Sequence, residues 1–239
     1  MRLFSLDERL TVCASLVREG ARLADVGTDH AYLPVWLLNS GKITFAIASD
    51  INEKPLLRAK ATAEKYSAQN IELRLGSGVS VLTPEDGISD IVIAGMGGEV
   101  IADILSQSEL VKNPEINLIL QPMTKSCELV SWLCENGFEI KSQKALTAKG
   151  KSYTVILASF AGRSTHPTEV FRIVGKLDLT DGESVKYINK QIRNLENKSR
   201  SDHSLKALVK ELRLLLGESN SGYQRLCRGL RAARFGYGF

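Results

Sequence analysis

The stretch "ADVGTDHAYLP", residues 24–34, sets two carboxylates and an imidazole, Asp25, Asp29 and His30, around a single glycine, Gly27. A dinucleotide-binding turn of the G-x-G-x-x-G type needs its second glycine so that backbone N–H groups can approach a pyrophosphate. Here that second position is Asp29 and the third is Tyr32. A carboxylate repels a diphosphate and attracts a cation. The ligand that fits is a nucleoside without phosphates that carries positive charge. S-adenosylmethionine, with its sulfonium and ammonium groups, has that chemistry, and Asp25 or Asp29 would face them.

Further motifs agree with this reading in chain order. "AIASDI" ends in Asp50 and Ile51, where an acidic residue hydrogen-bonds ribose hydroxyls. "GSGV" brings Ser77 and Gly78 beside an adenine edge, and "IAGMGGEV" supplies a floor of Gly95, Met96, Gly97 and Gly98 on which a flat base can approach the methyl group. Each motif also has a structural reading. Asp29 can cap a helix, His30 can be a helix-start residue satisfied by backbone, and the glycines can make a tight strand-to-helix turn.

These residues need a scaffold that presents five loops at one end. Apolar, β-favouring runs at residues 23–26, 43–49, 71–75, 91–94 and 118–120 alternate with helical patterns such as "EKPLLRAKATAEKYSA" and "KSCELVSWLCEN". Such alternation predicts a parallel sheet covered by helices on both faces. "FEIKSQKAL" and "SYTVILASF", joined by "TAKGK", predict a closing hairpin. The expected fold is α/β, a seven-stranded class I Rossmann-like sheet with its last strand antiparallel.

After residue 160, "AGRSTHPTE" marks a composition shift. Val185, Ile188, Ile192 and Leu195 then step by three and four, as do Leu205, Leu208, Leu212 and Leu215. That is a narrow a/d seam on each of two helices, predicting an antiparallel helical hairpin. At 1.5 Å per residue, about 15 residues make an arm of roughly 22 Å that can dimerise or reach along an extended partner. The domains are expected at residues 1–160 and 161–239.

The chain has 239 residues, 44% of them hydrophobic and 24% charged, as in an ordinary soluble globular protein. No apolar run approaches the roughly 20 residues of a membrane span, and the N-terminus lacks a signal-like apolar core. The four cysteines have no zinc spacing, so no metal is expected, and a reducing, cytoplasmic setting fits them. Residues 161–239 carry 15 Lys and Arg against 8 Asp and Glu, whereas residues 1–160 carry 16 against 19. A basic appendage on a slightly acidic domain suits either a polyanionic partner or a solvated helical surface.

The order "ADVGTDHAYLP", "IAGMGGEVI", "LILQP" and "SYTVILA" resembles the bacterial tRNA (adenine-N1)-methyltransferases that modify the D-loop adenine at tRNA position 22. The likeness covers roughly residues 5–160 closely and the helical region in architecture. It implies S-adenosylmethionine as methyl donor, tRNA as partner, and cofactor contacts from Gly27, Asp29, His30, Asp50, Ser77, Gly78, Gly95 and Met96. Asp29 and His30 are then expected between cofactor and base, with Gln121 hydrogen-bonding the adenine as the third catalytic candidate. Gly97, Gly98 and Pro122 would line the base pocket, and Lys190, Arg193 and Arg200 would take tRNA phosphates. This chain has Met123 where the family usually shows Asn. It also lacks the Asn/Asp-Pro-Pro-aromatic motif common in N6-amino methyltransferases of this fold, which favours a ring nitrogen. A monomer or weak homodimer is expected. The alternatives are a methyltransferase for another RNA or a small nucleobase, a non-catalytic ligand-binding scaffold, and, most distantly, an NAD-linked oxidoreductase.

Overall fold

The computed structural model describes residues 4–198 and 203–217; Arg200 and the Arg- and aromatic-rich tail lie outside the described residues. Helix α1 (Glu8–Leu16) begins at Asp7, whose carboxylate accepts from the Leu10 N–H at 2.8 Å. Five strands and four α-helices follow: β1 (Ala21–Val26), α2 (Tyr32–Asn39), β2 (Ile43–Asp50), α3 (Glu53–Lys65), β3 (Ile71–Leu75), β4 (Asp90–Gly97), α4 (Gly98–Ser106), β5 (Asn117–Thr124) and α5 (Ser126–Glu135); short 3-10 turns, not an α-helix, join β3 to β4. Strands β6 (Phe138–Ala148) and β7 (Lys151–Phe160) close one seven-stranded sheet of order β3-β2-β1-β4-β5-β7-β6. Strand β7 inserts between β5 and β6 and runs antiparallel to both, so only the last strand is reversed, as predicted. Its two-residue turn, Lys149-Gly150, has φ of 48° and 72°, the paired positive values of a type I′ hairpin.

The continuous apolar character of the central strands follows from burial on both faces. Leu23, Val92 and Ile119 pack under α1 and α2, beside Cys13, Leu33 and Leu37. Ile91, Ile93, Leu118 and Leu120 face α4 and α5 through Ile101, Leu105, Leu129 and Leu133. The two helices on that second face approach closely at Gly98, where a Cβ would overlap the Lys125 carbonyl and lie 3.2 Å from the Leu129 Cβ. Backbone cannot yield as a side-chain tip can. Gly98→Ala is therefore expected to lower stability by about 2 kcal/mol in urea denaturation; an unchanged midpoint would mean that α4 slides away freely.

Beyond the sheet come α6 (Glu169–Val174), α7 (Gly182–Lys198) and α8 (His203–Leu215). The short α6 was not legible in a segment that reads as a linker. The hairpin of α7 and α8 forms, but its seam is wider than the predicted a/d pattern. Tyr187 and Val209 are buried beside Ile188, Ile192, Leu208, Leu212 and Leu215, while Val185, Leu195 and Leu205 are only half-buried. The reason is docking: α7 packs along β6 and β7, and α6 packs on both α7 and α8. Thr147 donates to Glu183 at 2.6 Å, and the Tyr187 hydroxyl lies among Ser126, Thr154 and Gln191, its pKa pushed up to about 12 by burial. The arm is thus seated on the sheet edge for much of its length. Among the described residues, no helix is long and apolar enough to cross a membrane.

Candidate active site

The carboxyl ends of β3, β2, β1, β4 and β5 bring together Asp25, Gly27–His30, Asp50, Ile51, Ser77, Gly78, Gly95–Gly98, Gln121 and Pro122. The chain reverses its winding between the neighbouring strands β1 and β4, and the crevice outside such a switch point is where doubly wound sheets bind ligands. By contrast, Lys190 and Arg193 stand on α7, beyond β7 at the other end of the sheet order.

The first turn is tied down from two sides. Gly27 and Thr28 both donate backbone N–H groups to the Ser49 carbonyl, at 2.8 and 2.9 Å, and the Ala31 N–H donates to Thr28 Oγ1 at 3.0 Å. Helix α2 has no side-chain cap: Thr28 fixes the turn that leads into it, and Asp29 makes no capping bond. Gly27 has φ of +77°, and a Cβ there would overlap the Met96 Cε methyl, so the β1 and β4 loops meet over this glycine. Buried Ala31 also takes a left-handed φ of 51°. Such strain in a non-glycine residue persists only where its surroundings enforce it, commonly at ligand sites.

The two carboxylates of the turn have different fates. Asp29 is exposed and ion-paired to Arg58 of α3, with His30 Nε2 at 3.4 Å from its other oxygen. Its charge is already compensated. Asp25 is buried, its charge offset only by the Thr28 hydroxyl, and desolvation pushes its pKa up to about 6. Of the two turn carboxylates, only Asp25 is left without an ion-pair partner among the described residues. Asp50 Oδ1 accepts from the Asn52 backbone and side-chain amides at 2.7 and 3.2 Å, and Oδ2 has no protein partner among the described residues. Ile51 and Leu75, at the ends of β2 and β3, are among the most exposed large apolar side chains, 65% and 53%. Ser77 Oγ lies 3.4 Å from Gln107 Oε1, and Gly78 packs against Ile104 of α4.

On the opposite side of the switch point, Gln121 is completely buried, its Nε2 donating to the Pro122 carbonyl at 3.0 Å. Its Oε1 accepts from Arg9 Nη1 at 3.4 Å, and the same nitrogen lies 3.1 Å from Met123 Sδ. Arg9 was missed by sequence reasoning, and so was Arg58. Neither belongs to a motif, and no spacing could link Arg9 to a strand end 112 residues away. Tyr32 was also missed as a site wall: its ring stacks on His30 at 5.1 Å and 11°, with Phe4 edge-on at 5.6 Å.

The hairpin carries a groove of about 330 Å³ lined by Lys186, Asn189, Ile192, Arg193, Glu196 and Arg213. Lys186 pairs with Glu183 and Arg213 with Glu196. Arg193 is exposed and makes no ion pair among the described residues; half-buried Lys190 is not part of this groove. Among the described residues no cluster of His, Cys, Asp or Glu can hold a metal ion.

These residues fit S-adenosylmethionine on their own chemistry. A buried carboxylate awaits a cation, a second has a spare oxygen for ribose hydroxyls, and exposed aliphatic side chains beside it suit a purine face. Residues 6–156 match the family model described as a methyltransferase domain. The tRNA (adenine(22)-N(1))-methyltransferase of Bacillus subtilis (strain 168) is 36% identical over 165 residues, 68% of each chain. Streptococcus pneumoniae Sp1610, solved in complex with S-adenosyl-L-methionine, superposes with a TM-score of 0.79 at 31% identity, over 89% of this chain and 100% of that one. Mycoplasma capricolum TrmK in complex with the cofactor product S-adenosyl-homocysteine gives a TM-score of 0.73 at 25% identity, over 90% of this chain and 98% of that one.

Proposed function

The chain belongs to the tRNA (adenine(22)-N1)-methyltransferase family, and we propose that it transfers a methyl group from S-adenosylmethionine to N1 of an adenine in the D-loop of tRNA. The observation that carries this reading is the uncompensated Asp25 carboxylate beneath a glycine turn at the switch point. When bound, S-adenosylmethionine supplies a methyl group already activated on a sulfonium. Asp25 would hold the cationic amino-acid end of the donor, Asp50 its ribose through Oδ2, Ile51 and Gly78 its base, and Gly27, Ser77, Gly95 and Met96 would line its length.

Adenine N1 has a free lone pair at neutral pH, so the chain has no proton to remove before attack, and its work is positioning and electrostatics. Asp29 and His30 would flank the gap between donor and base, with the imidazole stacked on Tyr32 and free to receive a proton or face the cationic product. Gly97, Gly98 and Pro122 would form the floor for a base extruded from the tRNA. Gln121, with no exposed atom, would not touch that base directly and would act only by orienting Arg9. We assign residues 1–160 to cofactor binding and catalysis. To residues 161–239, basic in sequence, we assign tRNA binding, where Lys190, Arg193 and Arg200 would meet phosphates in a shape-based recognition. The apolar seam is largely occupied by α6, β6 and β7, which supports a monomer or weak homodimer. A cytoplasmic setting follows from the proposed substrate.

The test is nucleoside analysis of unmodified tRNA incubated with the protein and S-adenosylmethionine. 1-Methyladenosine is expected; cofactor binding without transfer to any tRNA would favour the scaffold alternative. In the same assay His30→Ala and Asp29→Ala should slow turnover about 100-fold at retained cofactor affinity, the range of a lost acid-base or electrostatic group. Unaltered rates would remove the pair from the mechanism.

A further inference from the structure

We propose that Arg9 is a substrate-positioning residue that holds a phosphodiester of the target nucleotide; this rests on the tRNA reading above. Arg9 comes from the first turn of α1 and reaches the ends of β4 and β5. Its guanidinium is aimed rather than saturated. Asp7 Oδ2 takes Nη2 at 2.9 Å, and Nη1 is shared between Gln121 Oε1, distant at 3.4 Å, and the Met123 thioether at 3.1 Å, a weak acceptor by its chemistry. The Nε–H has no partner among the described residues, and the side chain is 27% exposed. Gly95 leaves this side of the guanidinium uncovered, because a Cβ there would sit in van der Waals contact with Nη1, at 3.8 Å.

Two roles are available to a cation at this point, and charge separates them. Methyl transfer to a ring nitrogen puts positive charge on the adenine, so a guanidinium against the base itself would oppose the reaction. Against the adjoining phosphate the same group gains a planar, two-pronged ion pair and fixes the extruded nucleotide. Because Arg9 can only donate, it also forces Gln121 Oε1 towards itself and Nε2 towards the Pro122 carbonyl. The buried Gln121 amide and Asp7 thereby form the mount, and Arg9 is the surface that the RNA meets.

Initial rates of methyl transfer to unmodified tRNA, between 50 and 200 mM salt, would be compared for wild type, Arg9→Ala, Arg9→Lys and Arg9→Met, alongside S-adenosylmethionine Kd and thermal denaturation. Arg9→Ala and Arg9→Met should raise KM for tRNA about tenfold and flatten the slope of log(kcat/KM) against log[salt] by about 0.7, the contribution of one single-strand phosphate. Arg9→Lys should keep the slope, and cofactor Kd should stay within about twofold throughout. Arg9→Met preserves the stem should Arg9→Ala fail to fold. A slope unchanged in both neutral variants, with or without a fall in kcat, overturns the proposal and leaves Arg9 as an anchor for α1 and Gln121. A wild type that is active on tRNA and gives that result sinks only the Arg9 assignment. A wild type that methylates no tRNA sinks the family-based function and this inference together.

Discussion

Asp25→Asn should weaken S-adenosylmethionine binding by about 100-fold and yet make the ligand-free protein more stable, because removing one member of a desolvated charge pair costs binding energy that the free protein never had. In the ligand-free chain, burial holds the Asp25 carboxyl at a pKa of about 6, against 3.8 for the unhindered group. The folded chain therefore binds this proton more tightly than the unfolded chain does. Between pH 4 and 6 the Asp25 contribution to stability falls as pH rises, by at most about 3 kcal/mol, and the loss is complete once the group is ionised. Asparagine removes the buried charge. Its own amide needs a partner, so the gain at pH 7 is expected nearer about 2 kcal/mol, or about 5 °C in Tm for a chain of this size. The pH 4–6 slope should flatten in the variant. Wild-type cofactor affinity should fall as pH drops below about 6, where protonation abolishes the attraction. Differential scanning calorimetry across pH 4–8 and isothermal titration across pH 5–8 measure both arms. Unchanged affinity in the variant would remove Asp25 from the cofactor site.

Arg18→Ala should cost about 3 kcal/mol, since it strips most of the compensation from a carboxylate with no solvent of its own. Asp90 opens β4 and is fully buried. It accepts from the Arg18 backbone N–H at 2.8 Å and from Arg18 Nε at 2.6 Å, and the same guanidinium reaches the Ser89 and Glu115 carbonyls. The guanidinium is itself 42% exposed, which limits the pair's net worth but not the penalty of leaving Asp90 alone. Combining Arg18→Ala with Asp90→Asn should restore part of the loss, because the stranded charge goes with it. Urea denaturation of the three variants decides this; equal losses in the single and double variants would mean that packing of the Arg18 stem, not the charge, is what matters. Cofactor affinity should hardly change, since this end of β4 lies a strand's length from Gly95–Gly98.

The five parallel strands, the closing strand pair and the two heptad-like helices were all legible because each is written as a local pattern of apolar residues. The Lys149-Gly150 turn was legible too, as one glycine between two β-favouring runs. Helix α6 was not, because six residues beginning at Glu169 span less than two turns, too few for a period to emerge. The seam of the hairpin was read too narrowly for a related reason. Periodicity reports how much of a helix is apolar, and Tyr187 and Val209 lie outside an a/d step; they are buried in the cluster that forms where the hairpin meets α6 and the sheet edge.

For the site, the sequence by itself determined which loops converge, which positions lack a side chain, and that a carboxylate rather than a second glycine guards the first crossover. Only the tertiary structure sets the two carboxylates of that turn apart. Asp25 and Asp29 are four residues apart and chemically alike, yet Arg58 neutralises one at the surface while the sheet desolvates the other. The same holds for Gln121, a candidate contact by its place in the chain but sealed beneath Arg9 in space. Burial and charge compensation are sums over neighbours that folding brings from distant parts of the chain, and no local pattern of residue types records them.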